Sequence, residues 1–189
     1  DDIDLSGIGM PIFLGDIAQI QVYQGPQSFS YGHNAMAGLI NIKTKNPDIM
    51  LKNNFKLNIG NDDLIQASYY HNLKPLLMNK LFVNLFIYKG KQNGFMYNDY
   101  LKDFKNNKSE DYQKFKVYYK PSDNINSKIT LIRSNLDNGY DTWSPNNNID
   151  TTYSNQPGKD SQKLTAMSIK NKLNFNRFGI VHISNILKS

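Results

Sequence analysis

Ile20 to Pro47 reads IQVYQGPQSFSYGHNAMAGLINIKTKNP, and the chain changes character directly after it. Before Pro47 the sequence is compact and rich in Gly; beyond it, alternating strand patterns are separated by polar turns and loops. Two units are therefore expected, residues 1–47 and residues 48–189. Gly25-Pro26 ends the alternating run around Ile20 and Val22 with a residue free to take positive φ and one that cannot donate to a sheet. Tyr31-Gly32 and Ala37-Gly38 bracket small residues (Asn34, Ala35, Ala37) that let backbones approach closely. Leu39 to Thr44 then reads as a second strand. On spacing alone this is a strand, turn and strand from a small α+β domain.

The same segment resembles the C-terminal part of the plug domain of TonB-dependent outer-membrane receptors. The matching residues are Val22, Gly25, Pro26, Ser28, Tyr31, Gly32, Ala35, Ala37, Gly38, Ile40, Asn41, Ile42, Thr44, Lys45 and Pro47. A second stretch, Asn138-Gly139-Tyr140-Asp141 followed by Thr152 to Asp160, is similar to an outer loop of one subgroup of that family. The sequence departs from the family where a Glu and an Arg of the first strand are replaced by Gln21 and Gln24, and where His33 follows Tyr31-Gly32. With both charges missing, the plug is expected to meet the barrel wall through neutral hydrogen bonds rather than ion pairs.

Past Asn53 the pattern has period two. Phe55, Leu57 and Ile59 oppose Lys56 and Asn58, and Gly60-Asn61-Asp62-Asp63 supplies a tight hairpin turn. Ile65, Ala67, Tyr69 and Leu73 oppose Gln66, Ser68 and Asn72, while Leu81 to Lys89 is apolar on both faces. Phe115, Val117 and Tyr119 oppose Lys114, Lys116 and Lys120; Ile129 and Leu131 oppose Lys128 and Thr130; Met167, Ile169 and Leu173 oppose Ser168, Lys170 and Lys172. Such runs of roughly ten residues suit tilted strands crossing a bilayer. Short turns (74–80, 121–127, 174–178) take turns with long polar loops (90–110, 137–162), apart from the first hairpin. That asymmetry belongs to an outer-membrane barrel, although a soluble sandwich gives the same strand spacing.

The expected fold is mainly β: a partial transmembrane antiparallel β-barrel of about seven strands, preceded by the C-terminal part of a small α/β plug domain. An open sheet of this kind cannot span lipid, because its edge N–H and C=O groups would stay unsatisfied in hydrocarbon. The resemblance implies closure with about 22 strands, so the chain corresponds to the last third of the plug and the first third of the barrel, and alone should transport nothing. Asp1-Asp2-Ile3-Asp4 has neither the basic nor the apolar region of a signal peptide, and Ile180 to Leu187 reads as a strand still in progress. The signal peptide and the TonB-contacting segment are accordingly expected outside this sequence.

Composition excludes several classes. The formal charge of +6 is spread as single Lys residues with no basic block or recognition helix, which argues against nucleic acid. The absence of Cys rules out disulfides and thiolate metal sites. His33, His71 and His182 are too far apart to suggest a metal site, and Asp62-Asp63 and Glu110-Asp111 lack a nearby nucleophile. No cofactor is expected, and an enzyme is the least supported class.

What remains is recognition. Tyr140, Trp143 and Tyr153 on the loops are candidate ligand contacts, with a girdle at the membrane interface or loop self-packing as their alternative role. Met10, Pro11 and Phe13 correspond, by the resemblance, to the plug apex that faces an incoming ligand. The resemblance implies gated import across the cell outer membrane. A small molecule or metal chelate such as a ferric siderophore binds outside, and TonB moves the plug using the inner-membrane proton gradient. A passive porin and a secreted, carbohydrate-binding β-rich module are the competing readings.

Overall fold

The computed structural model of the chain describes residues 3–5, 8, 13–31, 34–47, 53–145 and 151–189. A 3-10 turn at Leu14–Asp16 leads into β1 (Ile17–Gln24), which is followed by one helical turn, α1 (Ser28–Tyr31), and by β2 (Gly38–Thr44). Strands β1 and β2 pair antiparallel, with Val22 opposite Ile40. Gly25 closes β1 at φ +80°, in the left-handed region where a Cβ is costly. At Gly38 a Cβ would lie 2.8 Å from the Tyr23 carbonyl oxygen, so the two backbones approach only because that side chain is missing.

Beyond residue 52 the chain continues as β3 (Asn53–Gly60), β4 (Leu64–Asn72) and β5 (Leu81–Gln92). The short β6 (Met96–Asn98) and β7 (Asp103–Lys105) precede β8 (Lys108–Ser122) and β9 (Ile125–Tyr140). Then come β10 (Thr151–Thr152), β11 (Gly158–Asn174) and β12 (Gly179–Lys188). The long strands form one seven-stranded antiparallel sheet in the order β12-β11-β9-β8-β5-β4-β3, and β10-β6-β7 form a small second sheet in the long connections. The large sheet is open, with β3 and β12 at its edges. Asn61, Asp62 and Asp63 turn between β3 and β4, with both aspartates at positive φ, a conformation Asp tolerates better than most residues.

Directly paired residues of an antiparallel sheet share a face, so the register sorts every side chain. One face carries Phe55, Ile65, Val83, Leu85, Val117, Ile129, Met167 and their paired neighbours, largely exposed or half-buried. The other carries Ser68, Asn72, Asn84, Lys114, Lys116, Thr130, Ser134 and Ser168. Apart from half-buried Ser68, all of these are buried. The apolar residues do not follow one hydrogen-bonded row. On β3 and β4 they reach Ile59 and Ile65, next to the Asn61 turn, whereas on β5 the corresponding levels are already Lys89 and Lys91. The band thus runs obliquely across the strands, as it must where strands tilt relative to an apolar layer.

Several expected extents change. β8, β9 and β11 reach 15, 16 and 17 residues, longer than the period-two apolar pattern suggests, and the long connections shrink to 93–107 and 141–157. The added residues are polar and read as loop in the sequence, yet Lys89 still pairs with Asp111 and Lys159 with Gly139 in the backbone ladder.

The N-terminal residues cover the polar face. Phe13 packs its ring 4.2 Å from Tyr88 and 4.7 Å from Tyr112, joining a small core of Tyr70, Phe86, Tyr112, Ile132 and Ala166. The apolar residues on both faces of β5 are explained here, since Phe82 and Phe86 are buried on the covered side. Beside this core Asp16 forms an ion pair with Lys114, both almost fully buried. Lys116 Nζ donates to Thr44 Oγ1 at 2.7 Å and to the Lys45 carbonyl at 3.2 Å, and Asn84 Nδ2 donates to the same carbonyl at 3.1 Å. Lys45 Nζ lies 5.1 Å from the Tyr70 ring centroid.

The expectation of a wholly neutral contact is therefore corrected. Gln21 accepts from Asn41 within the β1–β2 pair at 3.0 Å, and among the described residues no hydrogen bond joins it to the large sheet. The charge sits instead at Asp16, on the turn before β1, where it meets a lysine of β8. Asp16→Ala would strand the Lys114 ammonium in a buried site at a cost of ~3–5 kcal/mol, whereas Asp16→Leu with Lys114→Met removes both charges at far smaller cost. Comparing the unfolding midpoints of the two variants checks this; equal losses would show that the charge pair is not what matters.

Candidate functional site

The two long connections meet at one end of the large sheet. β10 pairs parallel with β6, placing Thr151 opposite Tyr97 and Thr152 opposite Asn98, and the Asp99 N–H donates to the Thr152 carbonyl at 2.8 Å. At the centre is Asp141, 2% exposed. Its carboxylate accepts from Asn98 Nδ2 at 2.6 Å, Thr152 Oγ1 at 2.7 Å and Ser154 Oγ at 2.5 Å. Its backbone is held as well, the N–H donating to Asn106 Oδ1 at 2.5 Å and the carbonyl accepting from Asn106 Nδ2 at 2.9 Å. Asn98, fully buried, also donates to the Ser154 carbonyl and accepts from the Leu101 N–H. One carboxylate and two asparagines thus tie residues 96–106 to Asp141, Thr152 and Ser154.

Burial alone would push the Asp141 carboxyl upward. Hydrogen bonds from Ser154, Thr152 and Asn98 and from the Trp143 N–H outweigh it and hold the group below its usual value of 3.8. Donors aimed at a carboxylate stabilise the charged form even where no cation is near.

This tie positions an aromatic cleft of about 480 Å³ lined by Tyr100, Trp143, Tyr153, Ser154, Asn155 and Gln156. The Tyr100 and Tyr153 rings stand edge to face at 5.7 Å, and Trp143 lies 6.5 Å from Tyr153. The Tyr153 N–H donates to the Trp143 carbonyl at 2.8 Å, which fixes the second pair. The three rings remain about half exposed. None of the described residues lining the cleft is formally charged at neutral pH, so its chemistry is that of stacking surfaces edged by amides and a hydroxyl.

Of the residues singled out in the sequence, Trp143 and Tyr153 come together here and Tyr140 does not. Tyr140 ends β9 opposite Gly158, exposed and away from the cleft lining. Phe13 is packed against Tyr88 and Tyr112 on the sheet. Met10, Pro11 and Gly32 lie outside the described residues, as does His33. Gly25, Gly38 and Asn41 shape the β1–β2 pair as given above, Pro26 lies exposed after β1, and Tyr31 Oη contacts Tyr23 Oη at 3.5 Å. His71 and His182 sit on the apolar face beside Tyr69 and Ser184. Among the described residues no three His, Asp or Glu side chains are grouped to hold a metal. The sequence reading missed Tyr100, Asn98 and Asn106. Positive φ at Asn106 is the kind of feature an Asn-rich loop hints at, but nothing local marks its partner.

No family model matches the chain. Its fold is similar to that of the ferric yersiniabactin uptake receptor FyuA from Yersinia pestis, with a TM-score of 0.74 and 17% identity over 90% of this chain and 28% of that one. It is also similar to P. aeruginosa FpvA bound to heterologous pyoverdines and to FpvAI bound to pyocin S2. For each of these the TM-score is 0.68 and the identity 11%, over 85% of this chain and 22% of the other. The chain thus spans less than a third of the length of these receptors. At such identities the likeness is one of fold: a mostly β, antiparallel, unclosed sheet similar to part of these receptors.

Asp141→Asn keeps the volume but turns an acceptor that binds three side-chain donors into a group carrying its own N–H bonds. The change is expected to speed amide exchange in residues 96–105 and 151–154, and to shift Trp143 emission, while β4 and β5 keep their protection. Because the folded-state value is depressed, the Asp141 contribution is complete above the unfolded value of 3.8 and is lost as pH falls through the folded one. A pH series of the same exchange measurement checks the sign.

Proposed function

We propose that this chain is part of a TonB-dependent outer-membrane receptor that imports a scarce nutrient such as a ferric siderophore. In this reading residues 1–47 are the C-terminal part of its plug and residues 48–189 the first strands of its barrel. The observation that carries it is the sorting of the large sheet: an oblique apolar band on the open face, and a polar face covered by the β1–β2 unit. A soluble sandwich would bury its apolar face and leave the polar one wet. The fold likeness to uptake receptors and the residue match over Ile20 to Pro47 support the same reading, and neither points to an enzyme.

The remaining features fit an outer-membrane wall. Strands of 15–17 residues span about 50 Å, more than a tilted crossing of the hydrocarbon needs, so their polar ends project beyond it. Tyr119, Phe175 and Phe178 stand at the short-turn end of the band, where an aromatic girdle is expected. The sheet edges at β3 and β12 require further strands to satisfy their backbone groups in lipid. On the covered side, the contacts of Asp16, Lys114, Lys116 and Asn84 are polar. Water can take the place of such contacts when the plug is pulled by TonB, which a dry apolar interface would resist.

Ligand recognition falls to the cleft of Tyr100, Trp143 and Tyr153, which faces outward with the long connections and offers rigid stacking surface at small entropy cost. Uptake of radiolabelled ferric siderophore by cells, with and without a protonophore, tests the proposal. Uptake should collapse with the gradient, and Trp143→Ala with Tyr153→Ala should raise the half-saturating concentration roughly ten-fold or more, the loss of one or two stacked contacts, at unchanged protein level in the membrane. Recovery of the protein from the soluble fraction without detergent would overturn the reading.

A further inference from the structure

The apolar band ends abruptly on β8, β9, β11 and β12. One hydrogen-bonded row holds Phe115, Leu131, Met167 and Ile186. The next row on the same face, two residues nearer the long connections, holds Gln113, Arg133, Thr165 and Lys188. The row after that holds Asp111, Asn135 and Lys163. On β9 and β12 the step runs directly from Leu131 to Arg133 and from Ile186 to Lys188, while on β8 and β11 one neutral polar residue, Gln113 or Thr165, precedes the first charge.

The charge is unbalanced. On this face the strands carry Lys89, Lys91, Arg133, Lys159, Lys163 and Lys188, against the two acids Asp111 and Asp137. Lys89 lies 4.0 Å from Asp111 and Lys159 lies 3.8 Å from Asp137, so both acids already have a cation. Arg133, Lys163 and Lys188 are exposed and have no ion pair among the described residues. Arg133 and Lys163 are diagonal neighbours on adjacent strands, and Lys188 flanks Thr165 from the other side. Like charges at that spacing repel, since diagonal neighbours on paired strands stand about 7–8 Å apart. An anion between them would turn the repulsion into attraction.

We propose that Arg133, Lys163 and Lys188 form a binding site for the phosphate of an anionic lipid, whose acyl chains lie along Leu131, Met167 and Ile186. The inference rests on the membrane reading above and adds to it a specific headgroup site at the boundary nearer the long connections. Thr165 supplies a hydroxyl between the cations, and the apolar row below continues the surface on which the chains would rest. A free phosphate would use the cations but gain nothing from that row; a zwitterionic lipid would use the row but meet its own positive charge at the cations.

The test uses the protein extracted in mild detergent and titrated with fluorescent phosphatidylglycerol, with fluorescent phosphatidylcholine, and with inorganic phosphate as competitor. Phosphatidylglycerol should bind preferentially and weaken with salt. Arg133→Gln, Lys163→Gln and Lys188→Gln together should lower its affinity roughly 100-fold, the value expected for three lost surface cations. A control with the same loss of charge at the other end of the strands, Lys74→Gln, Lys80→Gln and Arg177→Gln, should bind as the unaltered protein does. Equal binding of the two lipids, displacement by millimolar phosphate, or an unaffected triple variant would overturn the site. A protein that needs no detergent would instead overturn the membrane reading beneath it.

Discussion

Pairing register is the constraint on which this structure depends. In the seven-stranded sheet each residue faces either the N-terminal unit or the open side, and a slip of one residue in any strand would exchange the two sets. A slip in β8 alone would put Phe115 and Val117 against the N-terminal unit and turn Lys114 and Lys116 out onto the apolar band. The cost of that exchange is paid twice, in exposed cations among apolar side chains and in the loss of their partners at Asp16 and Thr44. The polar contacts under the N-terminal unit and the apolar band behind them therefore specify the same alignment.

Two buried carboxylates show different solutions to the same problem. Asp16 is balanced by an ammonium, Lys114, across the interface between the N-terminal unit and the sheet. Asp141 has no ion-pair partner among the described residues and is held by hydroxyl, amide and backbone donors from two connections. The first arrangement joins two units by a charge pair whose strength falls when water enters. The second distributes the charge over several short bonds and makes the two connections behave as one piece, which keeps Tyr100, Trp143 and Tyr153 in a common cleft.

Much of the sheet was legible in the sequence. The sets Ile65, Ala67, Tyr69 and Phe115, Val117, Tyr119 face the side their alternation predicts, the turn at Asn61 to Asp63 forms where Gly60-Asn61-Asp62-Asp63 announces it, and Gly25 has the positive φ that its place after a strand suggests. Strand ends were not legible, because the polar extensions of β8, β9 and β11 carry no apolar period, only backbone pairing with a neighbour. Nor was the use of Gln21: its missing charge drew attention to β1, while the charged contact with the large sheet is made by Asp16 on the turn before it.

The sequence by itself determined which residues alternate, where the chain must turn and which faces are apolar, since these follow from period two and from the local conformational limits of Gly, Asp and Asn. Only the tertiary structure decided which acids are buried and which aromatic rings share a cleft. Asn98 and Asp141 are 43 residues apart, and their meeting is fixed by the lengths of β8 and β9 and by the pairing of β6 with β10. A contact of that kind depends on where two separate connections are brought by the strands beneath them, and no local pattern encodes it.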